Sequence, residues 1–168
     1  TAALILYWGA LRNPLVFDDV QLTERVLRSY ASSPFRFDLR WFSYVTFGWV
    51  YEAFGRDWFW QRLANVLLHA AIASTLFLFL RRLLAALLPQ DQTVAAWHAL
   101  FGALLFLAHP AAVYGVAYLM QRSVLMATLF ALLSLRLFLE GLLRSRWHWF
   151  IASAAAYFVA VFSKEHCV

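Results

Sequence analysis

Apolar residues along this chain fall into long runs broken by short polar punctuation, not into the alternation of a half-buried strand. Read by length, the runs lie at about 1–12, 62–81, 94–113, 123–141 and 147–163. The first is too short to cross a bilayer and reads as the end of a longer helix, because a span needs roughly 20 residues. Between the first two runs lies a loop from Arg12 to Gln61 with its own periodicity. In "DDVQLTERVLRSY", Val20, Val26, Leu27 and Tyr30 recur near helical spacing, with Asp19 placed to cap the start. In "LRWFSYVTFGWVYEAFG", Trp41, Phe42, Val45, Trp49 and Phe54 alternate with Arg40, Ser43, Thr46 and Glu52, and Gly55 is a stop signal. These two stretches, about 19–30 and 40–54, are expected to be amphipathic helices lying on a membrane surface. The expected fold class is therefore all-α: a polytopic transmembrane helical bundle with interfacial helices in its first outer loop.

Composition strengthens the membrane reading. Hydrophobic residues make up 64% of the 168 and charged residues 14%, where a soluble domain is nearer half apolar and a quarter charged. Eight Trp, seven Tyr and sixteen Phe suit belts at headgroup level. The net charge of +5 sits on arginines flanking apolar runs, which points to anionic membrane lipid or phosphate and not to nucleic acid. A single cysteine, Cys167, excludes an internal disulfide framework. The chain begins at Thr1 inside an apolar run and stops at Val168 just after a charged cluster, so residues 1–168 are read as a fragment of a longer chain.

Each span carries the chain across the bilayer, and counting crossings sorts the polar clusters. Asp18-Asp19, His109-Pro110, Gln121-Arg122 and Ser163-Lys164-Glu165 fall on one side; Arg81-Arg82 and Arg144/Arg146 fall on the other. Charge counting does not decide which side is cytoplasmic, because the long loop is also rich in arginine. The acid-bearing side gathers a carboxylate able to take a proton from a nucleophile. It also gathers cations (Arg122, Lys164) able to neutralise a leaving phosphate, with the imidazole of His109 beside them. Together these suit transfer of a group from an anionic lipid to a hydroxyl.

Each cluster has a plainer reading. Asp18-Asp19 is also a solvated helix cap, His109-Pro110 a turn, Arg122 a snorkelling side chain, and Lys164-Glu165 an interfacial ion pair. Arg62, Asn65 and His69, at three- and four-residue steps, share a helix face that packs against another helix. Arg136 is expected to snorkel to the opposite interface. No P-loop, dinucleotide glycine pattern, HExxH or Ser-centred elbow occurs. Asp18-Asp19 with Glu165 leaves a divalent metal open, though no spacing demands one.

"VFDD" after the first run, "RLANVLLHA" in the second, "FLAHPAAVYGVAYLMQRSVLMATLF" across the third and fourth, and "SKE" after the fifth form an ordered set. It resembles the N-terminal half of the bacterial relatives of the transmembrane and tetratricopeptide-repeat O-mannosyltransferases, in the GT-C glycosyltransferase superfamily. The resemblance implies an inner-membrane, multi-pass enzyme with its site facing the periplasm. Such an enzyme moves sugar from a polyprenyl-phosphate donor to a Ser or Thr hydroxyl of a protein acceptor. It implies a catalytic base among Asp18 and Asp19, donor-phosphate contacts from His109, Arg122 and Lys164, and support from Glu165, Arg62, Asn65 and His69. Tyr114 stands where relatives carry Glu or Gln, a departure that bears on acceptor choice. The rival expectation is a non-enzymatic transporter, or an anchor for a following repeat domain.

Overall fold

The structure, a computed structural model, describes residues 2–34 and 38–164. These residues are helical, with no strand among them. The helices are α1 (Ala2–Tyr7), α2 (Glu24–Ala31), α3 (Trp41–Phe54), α4 (Trp58–Leu87), α5 (Gln92–Ala108), α6 (Ala112–Ala117), α7 (Arg122–Arg144) and α8 (Trp147–Val161). Short 3-10 turns occupy Trp8–Arg12, Phe17–Gln21 and Leu119–Gln121. Two stretches, Trp58–Leu87 and Leu119–Arg144, are long and apolar enough to cross a membrane; Ala2–Arg12, Gln92–Ala108 and Trp147–Val161 are apolar but shorter.

α4 is the central element and packs against α1, α5 and α7. Its start is set by Asp57, whose side chain accepts the Phe59 N–H at 2.9 Å. Asp91 caps α5 in the same way through Val94, at 2.9 Å. On α5 the buried residues Ala95, Ala99 and Ala103 recur every fourth position, so a stripe of small side chains turns inward. Lack of bulk there lets the backbones of α4 and α5 approach closely. α7 and α8 form a second hairpin, turned at Ser145 in the left-handed region. Ser134 and Ser153 bind each other's carbonyls across it, both at 2.9 Å. Outward faces remain greasy: Trp97, Phe101 and Leu105 on α5, Leu135 and Phe138 on α7 and Ile151 on α8 are all exposed. Exposed apolar residues in such number mark faces suited to contact with a membrane or another protein.

Two expectations are corrected. The run over 94–113 is not one helix: α5 stops at Ala108 and His109 turns extended (φ −65°, ψ 128°), because the ring of Pro110 disfavours helical geometry in the residue before it. The stretch 19–30 is helical only as α2, from Glu24; Asp18 and Asp19 sit earlier, in the 3-10 turn, and Asp19 does not cap α2. On α3 the buried face is Ser43, Val45, Phe47 and Gly48, while Trp49 and Phe54 are more than half exposed. The inward face offers a flat surface on which α2 packs.

Gly48 supplies that surface. A Cβ there would lie 2.6 Å from Cα and 2.8 Å from Cβ of Ala31. Gly48→Ala is expected to destabilise the α2–α3 pair by roughly 1–3 kcal/mol, the usual cost of overpacking. Limited proteolysis of the detergent-solubilised protein checks this: cleavage between residues 24 and 40 should become faster in the variant.

Candidate functional site

The two adjacent acids have opposite fates. Asp19 is fully buried. Its carboxylate accepts the backbone N–H groups of Leu119 (3.2 Å) and Met120 (3.0 Å), clamping the turn before α7 from a hundred residues away. Burial pushes its carboxyl above the ordinary carboxylate range, against the lowering effect of those two N–H groups and of the Arg62 charge. The folded state thus holds this proton more tightly than the unfolded one. The group's contribution to stability therefore falls as pH rises from the ordinary value toward the raised one.

Asp18 points to solvent. The phenol of Tyr118 donates to its Oδ2 at 3.1 Å, and the Asp18 backbone N–H donates back to the same phenolic oxygen at 3.3 Å. Gln21 Nε2 reaches Oδ1 at 3.3 Å. The corner that turns Asp18 outward is Phe17, a non-glycine residue at φ +50° with its ring edge-on to Tyr118. Strain of this kind costs about 1–3 kcal/mol and persists only where neighbours enforce it.

Arg122 is the opposite of an exposed headgroup ligand. It is 1% exposed. Its Nε donates to Asn65 Oδ1 at 2.8 Å, and its Nη2 donates to Gln61 Oε1 at 2.8 Å and to the Gln61 carbonyl at 2.7 Å. Its guanidinium lies 3.9 Å from the centroid of the Phe47 ring. Among the described residues, no carboxylate pairs with it. Asn65, held by Arg122, turns its amide nitrogen toward the carbonyls of Val116, Tyr118 and Leu119 at 3.4–3.5 Å. Gln61, Asn65 and Arg122 thus tie α4 to the start of α7 and to the turn that carries Tyr118.

The remaining residues distribute around this knot. Arg62 is buried; its Nη2 donates to the Pro14 carbonyl at 2.9 Å, and its Nε has no hydrogen-bond partner among the described residues. With Arg12 and Arg56 it lines a recess of about 470 Å³. His69 is buried, with Nε2 3.1 Å from the Leu107 carbonyl, so the tautomer protonated at Nε2 fits. His109 lies at the mouth of a separate, mostly apolar cavity of about 330 Å³, shared with His69, Tyr114 and Gln121. Its Nδ1 accepts the Ala111 N–H at 3.2 Å. Tyr114 is exposed and its hydroxyl accepts Gln121 Nε2 at 3.0 Å.

The segment before Lys164 is docked on α3, where Ser43 Oγ donates to the Ser163 carbonyl at 3.2 Å. One turn along α3, Thr46 Oγ1 meets Arg122 Nη1 at 3.5 Å. Glu165 lies outside the described residues. Asp18, Asp19, Asn65 and Arg122 are therefore linked through shared partners, and Arg62 acts on Asp19 through its charge. Among the described residues, no hydrogen bond joins Lys164 or His109 to either aspartate, and no three His, Cys, Asp or Glu side chains gather as a metal site.

Sequence reading missed Tyr118, Gln61 and Thr46. Gln61 had a signal: it precedes Asn65 by one helical turn, on the same face. Tyr118 had none beyond lying four residues before Arg122.

Comparison with protein-family models, with characterised proteins and with solved structures returned no match.

Proposed function

We propose that this chain is part of a membrane-embedded glycosyltransferase of the GT-C kind, crossing the bilayer about five times. In this reading it transfers sugar from a polyprenyl-phosphate donor to a protein hydroxyl at the outer face of a bacterial inner membrane. One observation carries the reading: of two adjacent acids beside apolar helices, one is consumed in clamping a distant turn and the other is held outward by a phenol from that turn. A solvated cap would leave both acids in water. A carboxylate that is oriented, hydrogen-bonded and still accessible suits a general base.

In this reading Asp18 takes the proton of the acceptor hydroxyl while that oxygen attacks the anomeric carbon. The bond from that carbon to the phosphate oxygen breaks, and polyprenyl phosphate leaves with the bonding pair and inverted stereochemistry at the sugar. Asp19 and Tyr118 are positioning residues. Arg122, with its donors committed inside the helices, holds the site together and does not grip the phosphate. Neutralising the leaving group falls to Lys164, to His109, and to the recess of Arg12, Arg56 and Arg62, which shares Arg62 with the Asp19 environment.

The test is transfer by the full-length protein in nanodiscs, given a synthetic polyprenyl-phosphate-linked sugar and a Ser/Thr peptide. Glycopeptide with inverted anomeric configuration is the expected product. Binding of a soluble solute with no retention of polyprenyl phosphate would replace this reading with transport.

A further inference from the structure

At the other end of α4, four arginines from two helices line one recess, and two of them pair with its single carboxylate. Arg81, Arg82, Arg136 and Arg144, with Gln92 and Glu140, line a recess of about 270 Å³ between α4, α5 and α7. Glu140 is 8% exposed. It pairs with Arg144 Nε at 2.7 Å and with Arg82 Nε at 3.0 Å. Arg144 Nε donates a hydrogen bond there, Arg82 contributes an ion pair without hydrogen-bond geometry, and both guanidinium groups border the recess about half exposed. Arg81 and Arg136 make no hydrogen bond or ion pair among the described residues, and both line the same space. Four cations against one anion leave a strong positive excess in a small volume walled by apolar helices. Such an excess attracts an anion to the recess.

The shape narrows the choice of anion. The guanidinium fork matches the oxygens of a phosphate in bidentate fashion. Leu78 and Ala85 also line the recess, and Leu135 and Leu142 on α7 are exposed nearby in sequence. A ligand with a phosphate at one end and hydrocarbon at the other satisfies both surfaces. We propose that this recess binds the phosphate of an anionic phospholipid headgroup, in the leaflet opposite the Asp18 face. The proposal rests on α4 and α7 spanning a membrane, and not on sugar transfer.

The test places the full-length protein in nanodiscs of equal phosphatidylglycerol and phosphatidylcholine and measures retained lipid by native mass spectrometry. Wild type is expected to keep phosphatidylglycerol selectively. The R81Q/R136Q double variant removes only side chains without protein partners. It is expected to lose that retention by roughly thirtyfold, two charges at the attraction typical of basic residues near an anionic leaflet. R146Q, at the same edge but outside the recess, should retain it. Equal loss in R146Q, or no loss in R81Q/R136Q, overturns the site. So does release of the lipid by millimolar inorganic phosphate, which would make the ligand a soluble anion. Failure of wild type to enter phosphatidylcholine nanodiscs would instead sink the membrane-spanning premise.

Discussion

Asp18→Asn in the full-length protein is expected to reduce sugar transfer by about 10²–10⁴-fold, the usual worth of a positioned general base. Melting temperature and expression should stay unchanged. Asn preserves the acceptor oxygen that meets the Tyr118 phenol at 3.1 Å, so the local geometry survives. What disappears is the capacity to accept a proton. Asp19→Asn should behave differently. Its amide matches only one of the two N–H groups of Leu119 and Met120 and sets a donor against the other. A buried mismatch of that kind costs about 1–3 kcal/mol, so this variant loses stability and transfer together. Steady-state kinetics beside thermal melts separate the two. An Asp18→Asn enzyme that transfers sugar normally removes Asp18 as the base.

Arg122→Met carries the largest expected effect on folding. It strips hydrogen bonds from Asn65 Oδ1, Gln61 Oε1 and the Gln61 carbonyl, all inside the helices. The Gln61 carbonyl keeps its bond within α4, while Asn65 Oδ1 and Gln61 Oε1 are orphaned at a cost on the order of 1–3 kcal/mol each, and relief from burying the guanidinium offsets part of the sum. A net loss of about 3 kcal/mol follows, visible as a lower melting temperature in detergent. Arg122→Lys tests the role itself. One ammonium cannot serve Asn65 and Gln61 with the fork's geometry. Stability should fall while the KM for the donor in the folded fraction holds. A raised KM with unchanged melting would instead mean that Arg122 reaches the phosphate.

The helical class was legible because run lengths and the Gly55 stop signal are local. The pairing of acids at 18 and 19 was legible as a feature, but its division of labour was not. That division depends on Phe17 entering the left-handed region and on Tyr118 and Leu119 arriving from a hundred residues away. Arg122 shows the same limit. An arginine bordering an apolar run resembles a snorkelling or phosphate-binding side chain, and only its partners at positions 61 and 65 reveal an interior knot. The break at His109 was legible as a turn at His109-Pro110, although the apolar run continuing to 113 let the span be drawn through it.

The length of α4 has a consequence for depth. From Arg62 to Arg81 the helix rises about 28 Å at 1.5 Å per residue, close to the roughly 30 Å of a bilayer's hydrocarbon. On the membrane-spanning reading the two arginines act as collars on a ruler. A thicker lipid environment would drag one collar below the headgroups, at a cost that grows with each ångström of mismatch. The turn bearing Asp18, tied to Arg62 through Pro14, therefore floats at a height graduated by α4 and not by the loop that contains it.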